Sequence, residues 1–318
     1  MFNRLSLFIF ITLCLNTTFY AQCCGGCSPI GGNTNQGTLP RYTLQVNSYY
    51  KHGYSEGYMQ DDHNSDFKFV KNANNSFVGL QLGYGVFKRF TVMVDGGYYL
   101  NRTQNFEIQS YKFMLNGYGG SSVTLSGKYN IIKDTARDIE FTMGIGVKMP
   151  WSKKPQIIDG VELTEDVQPS NGAYGLAIST FLFKDFDNLN MRIFLINNTT
   201  INGKSMRDYK EGNTYITSFF VSKTFLKNWS AILAVRNEIR DFAYRDNIKV
   251  ASSGGYRFLA IPQINYTIKK KYNISALYEM PIYQNYYGIQ LKDLYAFSIN
   301  LNIRLGLSKK ANEECARP

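Results

Sequence analysis

Three cysteines, Cys23, Cys24 and Cys27, fall within one short stretch, and Cys315 stands near the C-terminus. The Cys23-Cys24-Gly-Gly-Cys27 run contains a C-x2-C spacing. Thiolates at that spacing hold a soft metal such as Cu(I) or Zn, or close as a disulfide in an oxidising compartment. No histidine neighbours the cluster. The disulfide is the favoured reading, with metal and free thiol left open, and no cofactor is implied.

Histidine chemistry has little material to work with. The chain has two histidines, His52 and His63. His52 has Ser48 and Ser55 nearby in sequence, but no Gly-x-Ser-x-Gly elbow presents a nucleophile to it. Both read as ordinary surface histidines, and the chain is not expected to be an enzyme.

A third set of reactive side chains is electrostatic. Lys51, Asp95, Lys128, Glu140, Lys148, Arg192, Arg236, Glu238, Arg240, Arg257, Glu279 and Arg304 all fall on the polar register of segments that alternate polar and apolar. Lining the inside of a membrane barrel, they are expected to set a field that selects anions or polar solutes, or to bridge one another and fill a narrow lumen. On the lipid face each would cost roughly 2–4 kcal/mol at the midplane, so the inward orientation is strongly preferred.

These charges need strands to position them. The best segment is Tyr295–Leu307, where Tyr295, Phe297, Ile299, Leu301, Ile303, Leu305 and Leu307 alternate with Ala296, Ser298, Asn300, Asn302, Arg304 and Gly306. Strict period two over such a length is a strand with one apolar and one polar face, long enough to cross a bilayer at a tilt. Twelve such segments are expected, at about 41–54, 76–87, 90–100, 120–131, 139–149, 173–183, 189–200, 213–225, 229–240, 255–269, 271–280 and 294–307. Short connections such as Lys88-Arg89 alternate with long ones at 55–75, 101–119, 150–172, 201–212, 241–254 and 281–293. The layout predicts an all-β fold: a transmembrane antiparallel up-and-down β-barrel of about twelve strands, with short periplasmic turns and long extracellular loops. A soluble sandwich or lipocalin-like barrel shares the period, but strand length, loop asymmetry and aromatic-flanked turns favour the membrane.

Those turns are Phe87-Lys-Arg-Phe90, Phe183-Lys-Asp-Phe186 and Phe225-Leu-Lys-Asn-Trp229. Rings flanking a charged turn suit a membrane–water interface. Tyr49, Tyr50, Tyr98, Tyr99, Tyr286 and Tyr287 are expected to form the second girdle. Trp151, Tyr283, Tyr286 and Tyr287 are the aromatic candidates for binding a ligand or partner from the loops.

The N-terminus fits export. Met1–Arg4 is a positive n-region, Leu5–Leu15 an apolar core and Ala21 a small residue for cleavage. Gln22 before Cys23 disfavours lipid modification there. The chain is divided into a signal peptide (1–21), a Gly/Cys-rich periplasmic segment or plug (22–40), the barrel (41–307) and a periplasmic tail (308–318). Export sets aside nucleic acid as the partner for a net charge of +11.

The tract Leu80-Gln-Leu-Gly-Tyr-Gly-Val-Phe-Lys-Arg-Phe-Thr-Val92, the Gly-rich strands after it and the alternating final strand resemble the outer-membrane barrel family named for the MetA pathway of phenol degradation. The resemblance covers 41–307 and implies an outer-membrane channel for a small solute, apolar or aromatic in that family. The tail Ser308–Pro318 departs from barrels that end on a terminal aromatic. The expectation is a monomeric barrel in the outer membrane of a Gram-negative cell, whose partners are the lipid bilayer and a small solute. The alternative is a structural or surface-binding barrel with partner-binding loops and a closed lumen.

Overall fold

The period-two segments pair in sequence order, each with the next, and the last closes on the first. The computed structural model describes residues 37–108, 111–134, 136–269 and 271–308; the signal peptide, Cys23, Cys24, Cys27 and Cys315 lie outside them. The strands are β1 Thr43–Asp61, β2 Val70–Phe87, β3 Phe90–Ile108, β4 Tyr111–Gly120, β5 Ser122–Asp134, β6 Ile139–Pro150, β7 Gly175–Phe186, β8 Met191–Asn202, β9 Thr214–Leu226, β10 Trp229–Arg240, β11 Gly255–Ile268 and β12 Tyr272–Gly306. β4 extends the outer part of β3 rather than forming a stave of its own.

Eleven of these elements form the ring, and the last does double duty. Ile268 opposes Tyr272 and Gly255 opposes Tyr286, whereas Thr43 opposes Gly306 and Tyr54 opposes Tyr295. β12 therefore rises against β11, reverses at Gly288 (φ 68°) and descends against β1. Its two limbs act as two staves. A closed antiparallel ring satisfies the backbone without leaving an edge in lipid.

The two faces of each strand settle which side is which. On β1, Thr43, Gln45 and Asn47 are buried, and their neighbours Leu44 and Val46 are not. On the outer face, Ile145 is 61%, Leu233 56% and Ile299 54% exposed. Polar side chains point in and aliphatic ones out, the reverse of a soluble barrel and the surface that lipid requires.

Glycines on the inward register make room for rings. A Cβ on Gly79 would stand 1.9 Å from Cζ of Tyr49, and one on Gly97 would stand 2.2 Å from Cζ of Phe77. One wall of the interior is apolar. Phe181, Phe194, Ile196, Phe220, Ile232, Ala234, Leu259, Ile261 and Leu277 pack together, with Phe194 and Phe220 stacked at 4.3 Å.

Three expectations need correction. The segments 55–75 and 101–119 are mostly strand, because the barrel wall runs on past the membrane. The segment 281–293 is not a long loop: both limbs of β12 stay paired almost to Gly288, so Tyr283 and Tyr286 sit on a strand. The second aromatic girdle is also only half present. Consecutive residues of a strand face opposite ways, so Tyr50 and Tyr98 look outward while Tyr49 and Tyr286 are buried. At the short turns, Phe87, Phe225 and Trp229 are exposed as an interface belt requires, but Phe183 packs against the interior cluster.

Candidate functional site in the barrel lumen

Six charged side chains join in a chain across adjacent staves. Lys51 Nζ donates to both carboxylate oxygens of Glu279 at 2.8 Å. Arg236 donates to Glu279 at 3.2 Å and to Glu238 at 3.3 Å. Arg257 donates to the second oxygen of Glu238 at 2.8 Å and bonds Asp293. Tyr286 Oη also donates to Asp293, at 2.9 Å, and Ser55 Oγ does so at 2.8 Å.

Each position follows from the strand register. Glu238 opposes Arg257 across β10 and β11, and the inward parity of β1 and β12 brings Lys51 to Glu279. Three cations meet three carboxylates, so this belt is neutral. Within this belt the one cation in excess of Glu238 and Glu279 is balanced by Asp293, an acid expected from the sequence to lie in a loop. The signal available for it was its place in Asp293-Leu-Tyr-Ala-Phe, just before the clear alternation of the last strand.

The other inward charges lie elsewhere. Asp95 accepts from Gln81 Nε2 at 2.9 Å, and Lys128, 3% exposed, is its electrostatic partner on β5. Near the turns, Glu140 accepts from Thr142 Oγ1 at 2.9 Å and from the backbone N–H of Thr38 at 3.1 Å. Arg192 grips Asp185 with two donors, and Arg304 sits opposite Gln45. The N–H of Leu39 donates to Thr91 Oγ1 at 2.8 Å, and the Leu39 side chain is buried against the wall at Gly83. The approach to β1 therefore crosses the inside of the turn end.

At the loop end a cavity of about 810 Å³ opens above the charged belt. Lys148 and Arg240 border it, together with Arg102, Tyr209 and Glu211. Its cover is tied down by Arg207, which bonds Glu162 at 2.5 Å and also Glu165, and by Arg245 at 3.6 Å from Glu165. Burial raises the Glu165 carboxyl above its ordinary value despite Arg207 and Arg245. Glu211 behaves oppositely. Burial pushes its carboxyl up, but Arg240 and Lys148, the Asn171 hydrogen bond and Arg102 together hold it below the usual carboxylate range.

The aromatic loop candidates divide. Trp151 is 68% exposed, and its ring lies over Gly120. Tyr287 stacks on Phe242 at 4.4 Å, Tyr283 lies 5.7 Å from the ring of Tyr256, and Tyr286 is engaged with Asp293. They form no common surface patch. His52 Nδ1 lies 3.0 Å from Ser76 Oγ, its cross-strand partner, rather than near Ser48 or Ser55. Among the described residues no carboxylate hydrogen-bonds His52, so the third group of a triad is missing there.

No protein-family model matches the sequence. No curated protein matches it either. Among solved structures the chain is similar to an outer membrane channel from Pseudomonas putida F1, with a TM-score of 0.67 and 10% identity over 87% of this chain and 99% of that one. It also matches the NanC porin at a TM-score of 0.47 and 10% identity, over 82% of this chain and 100% of that one. For the KdgM porin the TM-score is 0.43 and the identity 8%, over 81% and 98%. This chain folds as an outer-membrane β-barrel. The apolar exterior, the closed ring and the turn–loop asymmetry place it in the outer membrane on physical grounds of their own.

Proposed function

We propose that the protein is an outer-membrane channel for passive passage of a small solute. The observation that carries this reading is the polar cavity of about 810 Å³ standing over a charged, inward-facing belt inside an apolar-sided barrel. Charges and a roomy polar vestibule within a lipid-facing shell are the materials of a selective path. The resemblance of the strand–turn tract Leu80–Val92 to the MetA-pathway family supports the finer reading of a solute with an apolar or aromatic body, and the fold shared with the Pseudomonas putida channel is compatible with it. In this reading the inward charges outside the neutral belt set the field, with Lys148 and Arg240 at the entrance.

A second reading, a surface-binding or structural barrel with a closed lumen, has its own support. Phe220 and Ile261 are 1% and 0% exposed inside the ring, and Leu39 is buried across its turn end.

Single-channel recording of refolded protein in a planar bilayer separates the two. Discrete conductance steps, enlarged when residues 22–40 are deleted, support the channel. A folded barrel silent both with and without that segment supports the closed barrel and overturns the channel.

A further inference from the structure

The chain enters the lumen before it forms the first strand. The N–H of Leu39 donates to Thr91 Oγ1 on β3 at 2.8 Å, and one residue earlier the N–H of Thr38 donates to Glu140 on β6 at 3.1 Å. A Cβ on Gly85 would stand 2.0 Å from the carbonyl oxygen of Pro40, so glycine there lets the entering backbone lie against the wall. Going back from β1, the chain therefore passes inside β3 and reaches β6 by residue 38. Whatever precedes residue 37 starts from inside the turn end of the barrel.

From that point toward the loop end, the wall made by β1, β2 and β12 is lined with neutral amides. The Leu39 and Gln45 side chains both approach Gly83. Asn47 opposes Asn302 on one side and Gln81 on the other, and Tyr49 opposes Asn300. The strip from Gln45 to Lys51, where the charged belt begins, is about 20 Å long. Asn47 is 0%, Asn300 1% and Gln45 2% exposed. Yet among the described residues both amide atoms of Gln45 and of Asn47, with Gln81 Oε1, Asn300 Oδ1 and Asn302 Nδ2, have no hydrogen-bond partner. Buried polar atoms of a folded protein are paired. A run of them left over on one inward strip marks the seat of a partner that both donates and accepts along its length.

We propose that the occupant of this strip is the chain's own segment 22–36, seated in the lumen as a plug between the turn end and the charged belt. These residues lie outside the described structure, and three features of the sequence and the fold suit them to the seat. None of them is charged, which matches an uncharged lining. Gly25, Gly26, Gly31 and Gly32 let backbone N–H and C=O groups come close to the amides. Their attachment at residue 37 holds them at high effective concentration beside the strip. Fully extended, the segment spans about 50 Å, enough to reach the belt and turn back. The proposal rests on the channel reading only for its consequence, that the segment must leave its seat for a solute to pass.

The test is thiol accessibility in the refolded barrel in detergent micelles. In a background with Cys23, Cys24, Cys27 and Cys315 changed to Ser, Asn47→Cys reports on the seat and Lys148→Cys on the loop-end cavity. A charged methanethiosulfonate is expected to label Asn47→Cys at least about tenfold faster when residues 22–36 are deleted, and Lys148→Cys equally fast in both chains. Retained heat-modifiable mobility on gels shows that each variant is folded. Equal labelling of Asn47→Cys with and without the segment overturns the proposal. Should the deletion prevent folding, the full chain supplies the answer. With Cys23, Cys24 and Cys27 kept and Cys315→Ser, reduction followed by mild oxidation is expected to link Asn47→Cys to one of the three, as mapped by peptide mass, and to link the outward Val46→Cys to none. No link from Asn47→Cys, or an equal one from Val46→Cys, overturns the proposal. Protection by the segment in a barrel that stays silent after its deletion upholds the seat and removes the channel. Conductance with unprotected Asn47→Cys in the full chain does the reverse.

Discussion

Lys51 and Glu279 meet at 2.8 Å inside the barrel although 228 residues separate them in the chain. The bond exists because the ring closes: β12 pairs with β1, and the inward parity of both strands aligns the two side chains. Glu279 is 4% exposed and also receives Arg236, so its removal leaves the partly buried Lys51 without its carboxylate and the buried Arg236 with Glu238 alone. Glu279→Leu is expected to destabilise the barrel by about 3–5 kcal/mol, and Lys51→Met by less, since Arg236 still serves Glu279. The double variant Lys51→Met with Glu279→Leu is expected to recover part of the loss. Urea unfolding of vesicle-inserted protein, followed by tryptophan fluorescence, gives the cycle; strictly additive losses would show that the pair is uncoupled.

The Tyr49 ring occupies the space beside Gly79 where a side chain would begin. Gly79→Ala is expected to expel the ring and cost about 1–3 kcal/mol. Tyr49→Ala in the same chain relieves the collision, so the double variant should lose less than the two single losses added. The same unfolding assay reads this.

Leu233 lies near the middle of β10, on the outer face, and is 56% exposed. Leu233→Arg is expected to cost roughly 2–4 kcal/mol in a bilayer, because the guanidinium meets hydrocarbon. In a soluble barrel the same change would be nearly neutral. Comparing folding in lipid vesicles with folding in a short-chain detergent measures the difference.

Glu211 gives the loop end a pH dependence. Its carboxyl is held below the ordinary value, so the folded loop binds a proton less readily than the free loop. The stabilisation is therefore fully present above the ordinary carboxylate range and is lost as pH falls through the depressed value. Loop 203–213 should exchange its amide hydrogens faster on acidification, and Glu211→Gln should abolish that dependence. Hydrogen exchange by mass spectrometry across the acidic range checks it.

Much of this architecture is legible in the chain itself. Period two is a local property, set by how successive side chains leave a strand, so Tyr295–Leu307 declares its two faces without reference to any partner. The same local rule marks Lys51, Arg236 and Glu279 as inward, and the contrast between Lys88-Arg89 and 150–172 separates turn end from loop end. What local pattern cannot supply is register across the ring. Asp293 joins Arg257 and Tyr286 only because β12 reverses at Gly288 and holds both limbs in the wall. Glu211 shares a cavity wall with Lys148 and Arg240 only because Asn202 clamps its loop inward. The sequence by itself therefore determined the strands, their faces and the solvent each face requires, since these depend on neighbours one or two residues away. Which charges neutralise one another, and which are left to face the vestibule, was decided by closure of the barrel, which brings together residues that share no local signal.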